Sequence, residues 1–98
     1  MSATVVWRGE AIRDVQAAFD WYEAQSKGTG ERLLTEIDEF VAFIAQRPEG
    51  PAKWRSRYRK VTLKRFPYQV VYRFDRGAII VYSVFHSSRN PSRWGRPN

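Results

Sequence analysis

The sequence predicts an α+β fold: an N-terminal strand, then an antiparallel helical hairpin packed on an antiparallel sheet that closes with a three-strand C-terminal meander. Two patterns carry the prediction. Between Glu10 and Gln46 apolar residues recur at steps of three and four, and from Tyr58 onward they alternate. Length is the third observation, because 98 residues make one domain, 1–98, with a single core.

Residues 3–8, Ala3-Thr4-Val5-Val6-Trp7-Arg8, are rich in β-branched and aromatic side chains and precede Gly9, as expected of an edge strand ending in a turn. Residues 10–26 form the first predicted helix, with Ile12, Val15, Phe19 and Tyr22 on its apolar face and Asp14, Asp20 and Glu23 off it. Gly28 suits the left-handed position that closes a helix, and Thr29 is placed to cap the next. The second helix, 30–46, carries Leu34, Ile37, Val41 and Ile44 on one stripe, with Leu33 and Phe40 beside it. Arg47-Pro48 ends it, since the residue before proline is pushed out of the helical region.

Pro48-Glu49-Gly50-Pro51 reads as a turn, and 53–57 is too polar and irregular to assign. In the strand 58–65, Val61 and Leu63 point one way while Lys60, Thr62 and Lys64 point the other. Phe66-Pro67 breaks the ladder. The strand 68–74 alternates Tyr68, Val70, Tyr72 and Phe74 against Gln69, Val71 and Arg73. Asp75-Arg76-Gly77 is a hairpin signal, the strand 78–86 is apolar enough to be central, and 87–98 is a basic tail.

With no cysteine, disulfides and thiolate zinc sites are excluded, and a single histidine leaves no cluster to hold a transition metal. No metal or cofactor is expected. The first eight residues lack a signal peptide's basic start and apolar run, and no apolar stretch reaches membrane-spanning length. A cytoplasmic protein without a membrane partner is therefore expected.

The net charge of +7 is unevenly spread. Residues 1–46 carry four basic and eight acidic side chains, whereas 47–98 carry thirteen basic and two acidic. Such a split points to a polyanion or an acidic protein as partner for the second half.

The order strand, helix, helix, meander, with Arg65-Phe66-Pro67-Tyr68, Val71-Tyr72-Arg73 and the run His86-Ser87-Ser88-Arg89-Asn90-Pro91-Ser92-Arg93-Trp94, resembles the RelE/ParE superfamily of bacterial type II toxins, and its ParE-like branch in particular. His86, Arg89, Pro91 and Trp94 meet the family's tail pattern, while Ser88 and Asn90 stand where arginine and aspartate are common. The resemblance implies a growth-inhibiting toxin of a plasmid-stabilising toxin–antitoxin module, neutralised by a cognate, ParD-like antitoxin. Trp21, Tyr22, Leu33, Phe40 and Trp54 are the candidate antitoxin contacts, and an acidic, partly disordered antitoxin segment is expected along the hairpin and sheet edge.

The superfamily holds two activities. RelE-like members cleave mRNA on the ribosome, and ParE-like members poison DNA gyrase without hydrolysis of their own. RNA cleavage needs groups that move protons and clamp a pentavalent phosphorane, for which Arg65, Arg73, His86 and Arg89 are the candidates. The resemblance argues against it. Nuclease relatives usually place an arginine early in the strand after the corner, where this chain has Tyr68-Gln69, and a tyrosine, or a His-Tyr pair, at the end of the last strand, where His86 is followed by Ser87-Ser88. His86 then reads as a hinge for the tail, and Arg65, Arg73, Arg89, Arg93 and Trp94 as target contacts. A third class, a basic nucleic-acid-binding module, follows from the cation–aromatic pairs Trp54-Arg55, Arg57-Tyr58-Arg59 and Arg93-Trp94 alone.

Overall fold

A computed structural model describes residues 2–55 and 57–88. The elements are β1 (Thr4–Trp7), α1 (Gly9–Gln25), α2 (Thr29–Gln46), β2 (Lys53–Trp54), β3 (Tyr58–Thr62), β4 (Tyr68–Asp75) and β5 (Ala78–His86). The five strands form one sheet in the order β1-β5-β4-β3-β2, with both helices on one face. The sheet is mixed rather than wholly antiparallel. β1 runs parallel to β5, Thr4 beside Ala78 through Trp7 beside Val81, while the other pairs are antiparallel. A parallel pair needs a long crossover, and the helical hairpin begins it.

The core lies between sheet and helices, with Leu33, Ile44, Tyr72, Ile79 and Val81 fully buried. α1 sits closer to the sheet than its large apolar residues suggest. Ala11 and Ala18 are buried, whereas Ile12 is 56% exposed. Small side chains let the α1 backbone approach β5, which turns Ile12 outward and brings Asp14 inward. The Asp14 carboxylate accepts the Ser83 hydroxyl at 2.9 Å and the Val84 N–H at 3.0 Å. Those partners follow the β-bulge in which Tyr82 is extra between the Tyr72–Val81 and Val71–Ser83 pairs.

The hairpin turn also departs from expectation. Gly28, at φ 92°, is the N-cap of α2, and the Thr29 side chain does not cap it. Glu23 reaches across instead, accepting the N–H groups of Gly28 at 2.9 Å and Gly30 at 2.8 Å. Gly30 is required here, because a Cβ would lie 2.7 Å from Phe19 and Glu23 side-chain carbons. The Gly28 N–H holds the Glu23 carboxyl below its usual range, and the Gly30 N–H adds to this.

The strand expected over 58–65 stops at Thr62. The cause is Glu36, 4% exposed on α2, whose carboxylate accepts the backbone N–H of Lys64 and of Arg65, the latter at 3.1 Å. These N–H groups leave the ladder and turn toward the helix. The unassigned segment 53–57 supplies the short β2, folded against β3 through Arg55 at φ 52°. Arg76 and Gly77, at φ 52° and 79°, make the left-handed pair that joins β4 to β5 in a two-residue hairpin.

Glu36→Ala leaves two backbone donors without their acceptor, and should lower stability by about 1–3 kcal/mol in urea unfolding. Unchanged stability would show that water replaces the carboxylate at no cost. Tyr72 supplies a pH prediction. Burial pushes its phenol up to about 12, against the nearby Arg59 charge, and its hydroxyl donates to the Pro48 carbonyl at 2.7 Å. Absorbance titration should show one tyrosine ionising about two pH units late. Because the folded value is the raised one, stability is full below the unfolded tyrosine value near 10 and falls as pH climbs toward 12. Glu23 works in the opposite sense: its contribution is present above the unfolded glutamate value and is lost as pH falls through the lowered folded one.

Candidate functional site

His86 ends β5, opposite Tyr68 on β4, with the two rings edge to face at 5.2 Å. Its Nδ1 accepts the Ser88 N–H at 3.1 Å and lies 2.7 Å from the Ser88 hydroxyl. The imidazole therefore closes the turn after the strand. It borders a cleft of about 630 Å³ between α1 and the β4–β5 end, where Asp14, Trp21, Tyr22 and Tyr68 also lie.

Arg65 is elsewhere. Glu36 fixes its backbone beside α2, where Glu39, Phe40, Phe43 and Lys64 share a groove of about 270 Å³ with it. Arg73 is at the opposite end of the sheet from His86. It pairs in register with Ile80, six residues before His86, which at the rise of an extended chain is roughly 20 Å. Its cleft, of about 280 Å³, is formed with Glu49, Lys53, Arg57, Tyr58, Arg59 and Phe74. The three described members of the proposed set, Arg65, Arg73 and His86, thus border three separate clefts. Arg89, Arg93 and Trp94 lie outside the described residues.

The sheet face away from the helices is basic and aromatic. Tyr72 faces the core, so by alternation Arg73 faces away, and the register of β3 with β4 puts Tyr58 and Lys60 on that same side. Trp54 pairs with Tyr58 and lies 4.7 Å from the Lys60 ammonium and 4.9 Å from the Arg55 guanidinium. Tyr82 meets the Tyr58 ring at 5.3 Å and the Arg8 guanidinium at 5.2 Å. Cation–aromatic contacts of this kind hold charges in place without neutralising them.

Of the candidate antitoxin contacts, Trp21 is 57% exposed and Tyr22 and Phe40 are half-buried. Trp54 is half-buried on the open sheet face, remote from the hairpin. Leu33 is fully buried in the core and presents no surface to a partner; its place beside the helical stripe gave no sign of this. Phe43, outside that set, is 53% exposed beside Arg65, with the Arg47 guanidinium 6.0 Å from its ring. Its one-residue offset from the stripe was the available signal of that exposure. Among the described residues no group of three acidic, histidine or cysteine side chains is placed to hold a metal. No described helix is long and apolar enough to cross a membrane.

Residues 5–91 match the family model described as the ParE toxin of the type II toxin–antitoxin system, parDE. The chain belongs to this family of type II toxins. No curated protein matches the ParE-family chain significantly in sequence. Solved structures share its fold. A chain of the chromosomal ParDE toxin–antitoxin system from P. aeruginosa superposes with TM-score 0.75 at 20% identity, covering 87% of this chain and 96% of that one. A chain of a RelBE toxin–antitoxin complex from Mycobacterium tuberculosis gives 0.59 at 21% identity, with coverages of 88% and 99%. A doubly substituted E. coli RelE toxin in the free state gives 0.62 at 15% identity, with coverages of 90% and 86%. An antitoxin is accordingly the partner of this toxin.

Groups in separate clefts act independently. Arg65→Ala and Arg73→Ala should combine additively, within about 0.5 kcal/mol, in any measured binding free energy. A coupling above about 1 kcal/mol would mean that one ligand touches both.

Proposed function

We propose that this toxin acts by binding, that DNA gyrase is its target, and that its working surface is the basic, aromatic sheet face. The separation of Arg65, Arg73 and His86 into three clefts carries this reading. RNA cleavage requires a proton-transfer group and cationic clamps around one phosphate. The roughly 20 Å between Arg73 and His86 is far beyond the span of one phosphate, and the Ser88 N–H occupies His86 Nδ1. Membership of the ParE family supports gyrase over the ribosome as target.

The test is direct. Purified toxin should inhibit gyrase supercoiling and leave ribosome-bound mRNA intact, and His86→Ala should inhibit growth as strongly as the parent. Transcript cuts that vanish in His86→Ala would replace this reading with the RelE-like one.

The antitoxin contact divides between two chemistries. Residues 1–46 carry eight acidic against four basic side chains, which disfavours the acidic segment expected along the hairpin and leaves the sheet edge as its place. Apolar antitoxin residues suit Trp21 and Phe43 on the hairpin, and acidic ones suit the cations around β2 and β3. Trp21→Ala and Phe43→Ala should each weaken antitoxin binding by about 1–2 kcal/mol in calorimetry. Parent-like affinity in both would remove the hairpin from the interface.

A further inference from the structure

The cleft around Arg73 is built of cations from β2, β3, the turn between them and β4. Lys53 on β2 pairs in register with Arg59 on β3, Arg57 sits in the turn between those strands, and Arg73 enters from β4. Arg59 is held in place. Its Nη1 donates to the carbonyl oxygens of Glu49 at 3.1 Å and Pro51 at 2.7 Å, which fixes the guanidinium before any ligand arrives. Among the described residues no ion pair reaches Lys53, Arg57 or Arg59, and the Arg73 guanidinium is a long 3.9 Å from Asp75. Glu49 is the one acidic residue of the lining, against four cations.

Four like charges around a concave site of about 280 Å³ raise the local potential, which a bound counter-charge relieves. An anion does so. The donors decide which anion, because the guanidinium forks of Arg57 and Arg73 and the Lys53 ammonium, beside an Arg59 whose Nη1 is already committed to two carbonyls, offer more N–H groups than the two oxygens of a carboxylate can accept. A phosphate presents more oxygens, spread tetrahedrally, to donors on three sides. Tyr58 in the lining adds aromatic surface suited to the sugar or base attached to it.

We propose that this cleft is a phosphate-binding site that takes the phosphodiester backbone of a nucleic acid. It lies at the far end of the sheet from His86, and it goes beyond the gyrase reading: the cleft engages phosphate whichever macromolecule the toxin poisons.

Fluorescence anisotropy with a short fluorescein-labelled single-stranded oligonucleotide, over a range of salt concentrations, tests it. Lys53→Gln, Arg57→Gln and Arg73→Gln combined should weaken binding about tenfold and lower the log–log salt slope by about two. The triple control Arg13→Gln, Lys27→Gln and Arg32→Gln removes the same charge from the hairpin and should change affinity by less than about twofold. Circular dichroism establishes that both variants fold, and Arg73→Lys, which keeps the charge but loses the fork, should weaken affinity while leaving the slope unchanged.

Equal losses in the two triple variants, or no binding by the parent toxin, would overturn the proposal. Tighter binding of polyglutamate than of an oligonucleotide of equal charge would overturn it in favour of an acidic protein segment. Displacement of the oligonucleotide by inorganic phosphate supports the site, whereas inorganic phosphate binding with no oligonucleotide binding would overturn the nucleic-acid assignment and leave a free-anion site. Gyrase inhibition by the cleft variant reports separately on the target: if it persists while oligonucleotide binding is lost, the phosphate site stands and is simply not the gyrase contact.

Discussion

Glu36 is the interaction on which the layout of this toxin depends. A buried carboxylate is costly unless its oxygens are satisfied, and here two consecutive backbone N–H groups, of Lys64 and Arg65, satisfy them. The arrangement fastens the loop after β3 to α2, ends that strand at Thr62, and sends the chain through Phe66-Pro67 into β4. Asp14 does the equivalent on α1, gripping β5 beyond its bulge. Each helix is thus tied to the sheet by one acid on its inner side, in addition to apolar packing.

These two acids are also where sequence reasoning stops. Periodicity locates both helices to within a residue, alternation locates β4 and a continuous apolar run locates β5, because those signals record which side chains meet water. Periodicity treats Asp14 and Glu36 as surface residues, since it has no means of knowing that a backbone N–H waits for them. The same blindness turned the apolar face of α1: Ile12 outranks Ala11 in hydrophobicity, but Ala11 is the residue small enough to lie against β5. β2 was illegible for a different reason. Its two residues are too few to alternate, and its turn depends on Arg55 in a conformation that arginine rarely signals.

The candidate site was legible as chemistry but not as geometry. The excess of cations after residue 46 is visible in composition, and family likeness singles out Arg65, Arg73 and His86. What no spacing reveals is that a residue near the end of β4 and one at the end of the antiparallel β5 lie at opposite ends of the sheet. Strand register does that sorting: it carries Arg73 to the end of the sheet where the cation-lined cleft lies and leaves His86 at the other end with Tyr68 and Ser88. The hairpin's acidic surface and the sheet's basic face follow from the same topology, which puts the helical hairpin and the strands β2 to β5 on opposite layers.

The parallel pairing of β1 with β5 also has a bearing on how the toxin comes into being. Thr4 finds its neighbour Ala78 only after nearly the whole intervening chain has been made, so the closing contact of the sheet is among the most distant in sequence. Contacts of such long range form late, because their loop-closure entropy is offset only once the segments between are ordered. During synthesis the helical hairpin can gather early, but the first strand stays without its neighbour until the last described strand has emerged. The sheet of this toxin therefore cannot be completed before Ala78–Val81 have been made, so its β1 edge is the last to close.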